Sequence, residues 1–165
     1  MKIRVAHAAD LPEIVAIYNA SIPGRMATAD TTPVTIAQRE AWFGEFNPTL
    51  RPLWVYCSAE DSAPTGWLSV RSFYGRPAYH ATVELGVYVA PAAQRQGIAR
   101  ALLGHAIHHA PGMGVRTMLA FVFGHNMPSI TLFEQYGFSP WGRLPRVAEM
   151  DGIERDLAIL GRRIA

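Results

Sequence analysis

The stretch Val87-Tyr88-Val89-Ala90-Pro91-Ala92-Ala93-Gln94-Arg95-Gln96-Gly97-Ile98-Ala99-Arg100-Ala101-Leu102-Leu103 holds the residues best suited to chemistry. A strand enters a turn, the turn opens a helix, and a glycine with a small partner stands at the helix start. Backbone N–H groups there lack intrahelical acceptors, and the helix dipole adds partial positive charge. Such a terminus can bind a pyrophosphate. Gly97 and Ala99 would let phosphate oxygens approach the main chain, while Arg95 and Arg100 add mobile positive charge. An ordinary strand-to-helix turn accounts for the same residues. G-x-G-x-x-G is absent, as is the G-K-S/T ending of a P-loop, so a Rossmann or P-loop site fits less well.

Two other groups could carry chemistry. Cys57, the single cysteine, excludes an internal disulfide and a multi-cysteine zinc site, and in the apolar run Leu53 to Cys57 it reads as a packed core residue. His105, His108 and His109 have helical spacing that could hold a metal. They fall in the last turns of a helix, where imidazolium complements the dipole, and no acidic ligand flanks them, so no metal is expected.

The elements that position these residues are legible from periodicity. Ile3 to Ala6 reads as a strand, and Leu11 to about Ala20 as a helix with Asp10 as N-cap, Pro12 in the first turn and Glu13 as a capping-box acid. Ser21 to Pro33 is a loop or irregular helix of a length that is often functional. Thr35 caps a second helix ending near Phe46. Leu53 to Ser58 and Thr65 to Ser72 form a hairpin, and Thr82 to Val89 is a third strand on which Glu84, Gly86 and Tyr88 alternate with valines and a leucine. A helix over Ile98 to Ala110, a strand over Thr117 to Phe123 and a helix over Met127 to Tyr136, closed by Gly137, follow. Two last strands, about Trp141 to Ala148 and Ile153 to Leu160, join through the turn signal Asp151-Gly152. The order β-α-α-β-β-β-α-β-α-β-β predicts one α/β domain over residues 1–165, a three-layer arrangement of a mixed sheet flanked by helices.

Composition fits that reading. Half of the 165 residues are apolar and 17% are charged, enough for a continuous core and against disorder. The net charge of +2 is spread along the chain, which argues against a nucleic-acid surface, and Trp42, Phe43, Trp54, Tyr56, Trp67 and Phe73 read as core and interface. No signal peptide or membrane-length apolar run appears, so a cytoplasmic protein is expected.

Gln94-Arg95-Gln96-Gly97-Ile98-Ala99 resembles the motif Q/R-x-x-G-x-G/A of GNAT-superfamily N-acetyltransferases, and Asn126-Met127-Pro128-Ser129-Ile130-Thr131-Leu132-Phe133-Glu134-Gln135-Tyr136-Gly137-Phe138 resembles their second signature. Arg76-Pro77-Ala78-Tyr79-His80-Ala81-Thr82-Val83-Glu84 is similar to the R-x-A-Y-x-x-T-V-E segment of the phosphinothricin acetyltransferase branch. The resemblance spans nearly the whole chain and implies a mostly antiparallel sheet. It also implies acetyl-CoA as cosubstrate, a small amino-acid-like amine as acceptor, and a homodimer.

By the resemblance, Val87, Tyr88 and Val89 pair with pantetheine, and Arg95, Gln96, Gly97, Ile98, Ala99 and Arg100 cradle the phosphates. Asn126 bonds the pantetheine arm, with Ser129 nearby. Glu84 is the general base, and Tyr74, Arg76 and Tyr79 lie against the acceptor. Glu84 suits the role because a carboxylate, directly or through water, can deprotonate an ammonium before it attacks a thioester. Arg76 offers a fork to an acceptor carboxylate. An exposed strand glutamate and a solvated loop arginine are the plainer readings of these two.

The sequence departs from the family twice. Phe133 stands where many members have a tyrosine that protonates the leaving thiolate; Tyr136, three residues on, faces a similar side of the helix, a packed ring is its plainer reading, and the general acid stays unassigned. Asp151 stands where the branch has a histidine, which puts phosphinothricin itself in doubt; Arg146 or Glu149 could contact a different acceptor, and exposed hairpin residues are an equally good reading of both. A non-catalytic acyl-CoA-binding module, and a GNAT enzyme for polyamines or protein N-termini, are the alternatives.

Overall fold

In the computed structural model, which describes residues 2–165, the strands β1 (Lys2–Val5), β2 (Leu53–Cys57), β3 (Pro64–Ser72), β4 (Thr82–Val89), β5 (Thr117–Phe123), β6 (Ser139–Met150) and β7 (Ile153–Arg163) form one sheet in the order β1-β2-β3-β4-β5-β7-β6. The helices are α1 (Leu11–Ser21), α2 (Ile36–Gly44), α3 (Ile98–His109) and α4 (Met127–Gln135). Every neighbouring pair of strands is antiparallel except β4 and β5, whose parallel pairing requires the crossover that α3 supplies. The architecture is the expected one, a mixed and mostly antiparallel α/β sheet flanked by helices.

β2 is buried along its whole length, which is why Leu53 to Cys57 reads as an unbroken apolar run. Its residues alternate between two cores. Leu53, Val55 and Cys57 face α1 and α2 together with Ile14, Ile17, Tyr18 and Trp67, whereas Trp54 and Tyr56 join the core under α3 with Leu68, Leu102 and Leu103. Trp54 also meets the ring of His105 edge-on at 4.7 Å, and burial, then His109 and His108, lower the His105 pKa to about 4. His105 is thus a neutral packing residue. No group of three or more His, Cys, Asp or Glu gathers among the described residues in a way that could hold a metal. No helix among them is long and apolar enough to cross a membrane.

Local signals hold with two corrections. Thr35 caps α2 reciprocally: its Oγ1 accepts from Gln38 N at 3.1 Å and its own N–H donates to Gln38 Oε1 at 2.8 Å. Asp10 does not cap α1 through its side chain, and Glu13 closes no capping box with it. Its carboxylate accepts from His7 N at 2.7 Å and from both terminal nitrogens of Arg4, closing a 3-10 turn over Ala8–Asp10 that precedes the helix. The final hairpin is longer than its periodicity suggests, because two irregularities in β6, at Pro140/Gly142 and Leu144/Ala148, break the alternation. Pro145, without an N–H, sits in the second.

Candidate active site

β4 and β5 pair only through Thr82, Val83 and Glu84, opposite Thr117, Met118 and Leu119. Beyond Glu84, β4 continues along β3 to Val89 while β5 follows β7 to Phe123, so the sheet forks. A cleft of about 470 Å³ fills the fork, lined by Glu84 to Tyr88 on one side, Ala120 to Phe123 on the other, and Phe133 and Ser129 of α4. Phe73 N donates to Thr82 O and Ala90 N to Thr65 O, so the hydrogen-bonded pairs of β3 and β4 fall on Glu84, Gly86 and Tyr88. By strict alternation, the backbone groups of Leu85, Val87 and Val89 point away from β3; the Leu85 N–H is taken by the last rung of the β4–β5 ladder, and those of Val87 and Val89 open into the fork. Val87 and Val89 thus keep backbone groups open to an amide-containing chain, whereas Tyr88, expected to pair alongside them, spends its backbone groups on Trp67 of β3.

Past the end of β4, a 3-10 turn over Pro91–Ala93 leads to Arg95 and Gly97, both left-handed with φ of 61° and 80°. Gly97 occupies the N-cap position of α3, and a methyl group built there would meet nothing within 4 Å. The glycine is required by backbone conformation, and open space lies over the N–H groups that start α3. Arg95, Gln96 and Arg100 are exposed around it, with Arg100 bonded to Gln135 Oε1. Ile98 instead faces the core, so only its N–H is available to a ligand. None of residues 95–100 lines the cleft; they lie beyond it.

Asn126 caps α4, its Oδ1 accepting from Ser129 N at 3.2 Å, and its Nδ2 donates to Met26 O at 3.0 Å. The loop that held no periodicity thereby becomes a wall: Met26, Ala27, Thr28 and Ala29 all line the cleft. Arg25 bonds Asp151 Oδ2 at 2.9 Å, and His125 Nε2 lies 3.0 Å from Arg25 O. Asp151 therefore holds this loop. Val147 and Ala148 of the hairpin line the cleft, whereas Arg146 pairs with Glu154 at 3.8 Å and Glu149 is exposed on the strand.

Glu84 is half-buried at the apex of the fork, and burial raises its carboxyl pKa above the ordinary value while Arg71 opposes the rise. It also lines a second cleft of about 410 Å³ on the α1/α2 side, with Tyr18, Thr28, Asp30, Arg39, Trp42, Trp67, Ser69, Arg71, Gly86 and Tyr88. The two clefts share Thr28, Ala29, Glu84, Gly86 and Tyr88. Burial holds the Tyr88 phenol far above its usual pKa, and its O–H donates to Ala27 O at 3.2 Å.

The structure does not bring Tyr74, Arg76 and Tyr79 to either cleft. They lie exposed on the β3–β4 connection, where the two tyrosines pack around Phe73, which in turn stacks on Phe121 of the cleft at 6.4 Å. Tyr136 also stays outside, its ring packed near Gly104 of α3, so it does not replace the hydroxyl that Phe133 lacks. The residues that sequence alone missed are Arg71, Arg39, Asp30 and the walls at Met26 to Ala29. Arg71 could have been found by counting back along the β3–β4 hairpin.

A profile of the acetyltransferase (GNAT) family matches residues 14–138. YwnH of Bacillus subtilis (strain 168), whose provisional name is phosphinothricin acetyltransferase, is 46% identical over 165 residues, 100% of both chains. The L-methionine sulfoximine/L-methionine sulfone acetyltransferase of Pseudomonas paraeruginosa is 33% identical over 158 residues, 96% of this chain and 91% of the relative. The crystal structure of a GNAT superfamily phosphinothricin acetyltransferase from Sinorhizobium meliloti in complex with AcCoA has a TM-score of 0.92 at 30% identity, covering 99% of this chain and 88% of that one.

Proposed function

The chain belongs to the acetyltransferase (GNAT) family and is an N-acetyltransferase, and from that premise we propose that it moves an acetyl group from acetyl-CoA to the amine of a small amino-acid-like acceptor, of the phosphinothricin or methionine sulfoximine type, with Glu84 as general base. The observation that carries the reading is the place of Glu84: a half-buried carboxyl without a hydrogen-bond partner among the described residues, at the junction of two clefts.

The residues present fit acetyl-CoA. The outward-facing backbone of Val87 and Val89 matches the amides of a pantetheine arm. The open α3 terminus at Gly97, with Ala99 beside it and Arg95 and Arg100 around it, matches a pyrophosphate. Acetyl-CoA supplies an activated thioester. Asn126, which itself lines the cleft, bonds the pantetheine arm besides capping α4 and fixing the Met26 to Ala29 wall, and Ser129 faces the same cleft.

The acceptor arrives as R–NH3⁺. Glu84 takes one proton, directly or through water, and frees the lone pair. That lone pair forms the new C–N bond at the thioester carbonyl, whose oxygen the Val87 N–H is placed to polarise. The C–S bond breaks, the nitrogen gives up its second proton, and the thiolate takes one proton from solvent. The products are the N-acetyl compound, CoA and one released proton.

The acceptor cleft sets Arg39 and Arg71 beside Asp30 and Glu84. That mixture of signs favours a zwitterion over a polyamine. An acceptor panel following CoA release tests the class: turnover should require an amine that also bears a carboxylate, and activity confined to polyamines or peptide N-termini would contradict it. Homodimerisation is part of the same proposal. β6 is a sheet edge with Trp141, Leu144 and Val147 exposed, a surface that a second copy would cover. Sedimentation velocity should find a dimer.

A further inference from the structure

We infer that the second cleft is the acceptor pocket and that Arg71 holds the acceptor's acidic group. The inference rests on the reading of Glu84 as the base that meets the amine.

The register of β3 and β4 sets Arg71 directly opposite Glu84. The pair belongs to the hydrogen-bonded set, with Cα atoms about 5.5 Å apart and both side chains on one face. Although their charges are opposite, the two ends make no ion pair, and neither has a hydrogen-bond partner among the described residues. The other charges in the pocket are committed. Arg39 pairs with Asp30 at 3.3 Å and lies over the rings of Tyr18 at 4.5 Å and Trp42 at 5.1 Å, and Asp30 also accepts from Tyr18. One half-buried carboxylate and one exposed guanidinium therefore remain free, side by side, in the lining of the pocket.

An α-amino acid carries an ammonium and a carboxylate on a single carbon. Its ammonium complements Glu84 and its carboxylate complements the fork of Arg71. With the amine at Glu84, the nitrogen lies where the two clefts meet, and the side chain of the acceptor extends among Trp42, Trp67 and Tyr88. An acceptor that lacks the acid leaves Arg71 facing a second cation, so the same residue selects against simple amines. Arg76 lies outside the pocket and cannot do this within one protomer.

The test compares Arg71→Ala, Arg71→Lys and Arg76→Ala in steady-state kinetics at saturating acetyl-CoA. The acceptors are L-methionine sulfone, L-methionine sulfoximine and phosphinothricin, and the decarboxylated amine of each. Circular dichroism and the acetyl-CoA KM serve as folding controls. For the carboxylated acceptors, Arg71→Ala should raise KM by about tenfold or more with kcat within a few-fold, as expected for loss of a charge-assisted contact made in ground and transition states alike. Arg71→Lys should recover part of the loss, and the decarboxylated amines should be used by Arg71→Ala as well as or better than by wild type. An unchanged KM, an equal rise for both kinds of acceptor, or a larger effect from Arg76→Ala would overturn the assignment. Wild-type turnover of the decarboxylated amines alone would overturn the proposed acceptor class as well. Loss of kcat in Glu84→Gln is read separately and does not bear on Arg71.

Discussion

Arg25 Nε donates to Asp151 Oδ2 over 2.9 Å, joining the loop that supplies Met26 to Ala29 to the cleft with the turn between β6 and β7. The two residues are 126 positions apart in sequence, and each sits in a left-handed conformation, with φ of 53° and 55°. Asp151 is exposed, so solvent screens the pair and it contributes little to global stability. Its effect is local order in the wall. Asp151→Asn keeps the turn geometry and should leave Tm within a few degrees, while KM for acetyl-CoA and acceptor rise a few-fold in stopped-time assays. A Tm loss without any KM change would assign the pair to stability alone.

Asn126 bridges the same loop from the other side, through Ser129 N and Met26 O. Asn126→Ala removes a cap and a buried hydrogen bond, at a cost of about 2 kcal/mol in urea unfolding. Asn126→Asp keeps the cap acceptor but not the donor to Met26. It should recover about half of that loss, and equal destabilisation by both variants would contradict the division of roles.

The turn before α3 offers a cleaner test of the phosphate cradle, because a Cβ added at Gly97 would meet nothing within 4 Å. Gly97→Asp adds a negative charge at the helix N-terminus, and Gly97→Val adds bulk at a φ of 80°. Both should weaken acetyl-CoA binding by about tenfold or more in calorimetry, with a circular dichroism spectrum near that of wild type. Unchanged affinity in a folded variant would remove this turn from the site.

The distribution of these sites explains what could be read from residue order. Gly97, Asn126, Thr35 and the Asp151-Gly152 turn act over a few neighbouring residues, so their backbone demands show directly in the sequence. Glu84 drew notice in the sequence because its strand leads into the turn before α3. Arg71 and the Met26 to Ala29 wall were not, since their positions depend on strand register and on bonds from Asn126 and Asp151 a hundred or more residues away. Arg76 and Tyr79 matched a motif and Tyr74 stands just before it, yet nothing in a motif states whether a loop folds over a cleft or away from it. Tyr136 failed similarly: one turn of helix separates a ring in the cleft from a ring packed near Gly104.

Burial raises the Glu84 pKa, so the folded protein holds that proton more tightly than the unfolded chain. The stabilising effect of protonation is complete below the unfolded pKa of about 4.3 and is lost as pH rises through the higher folded value. Glu84→Gln carries no charge to desolvate. Its Tm should exceed that of wild type at neutral pH, with a flatter Tm profile between about pH 4 and pH 7. A lower Tm across that range would mean that the carboxylate stabilises the fold.

The central claim is that Glu84 takes the ammonium proton, and the pH dependence of kcat for Glu84→Gln tests it most directly. Wild-type kcat should fall on the acid side with an apparent pKa above the usual glutamate value, as its carboxylate is protonated. In Glu84→Gln, kcat at neutral pH should drop by about a hundredfold or more with acetyl-CoA binding intact, and the rate should partly return as pH approaches the acceptor amine's own pKa. A variant with wild-type kcat from acid to alkaline pH, on an acceptor that wild type uses, would contradict the account.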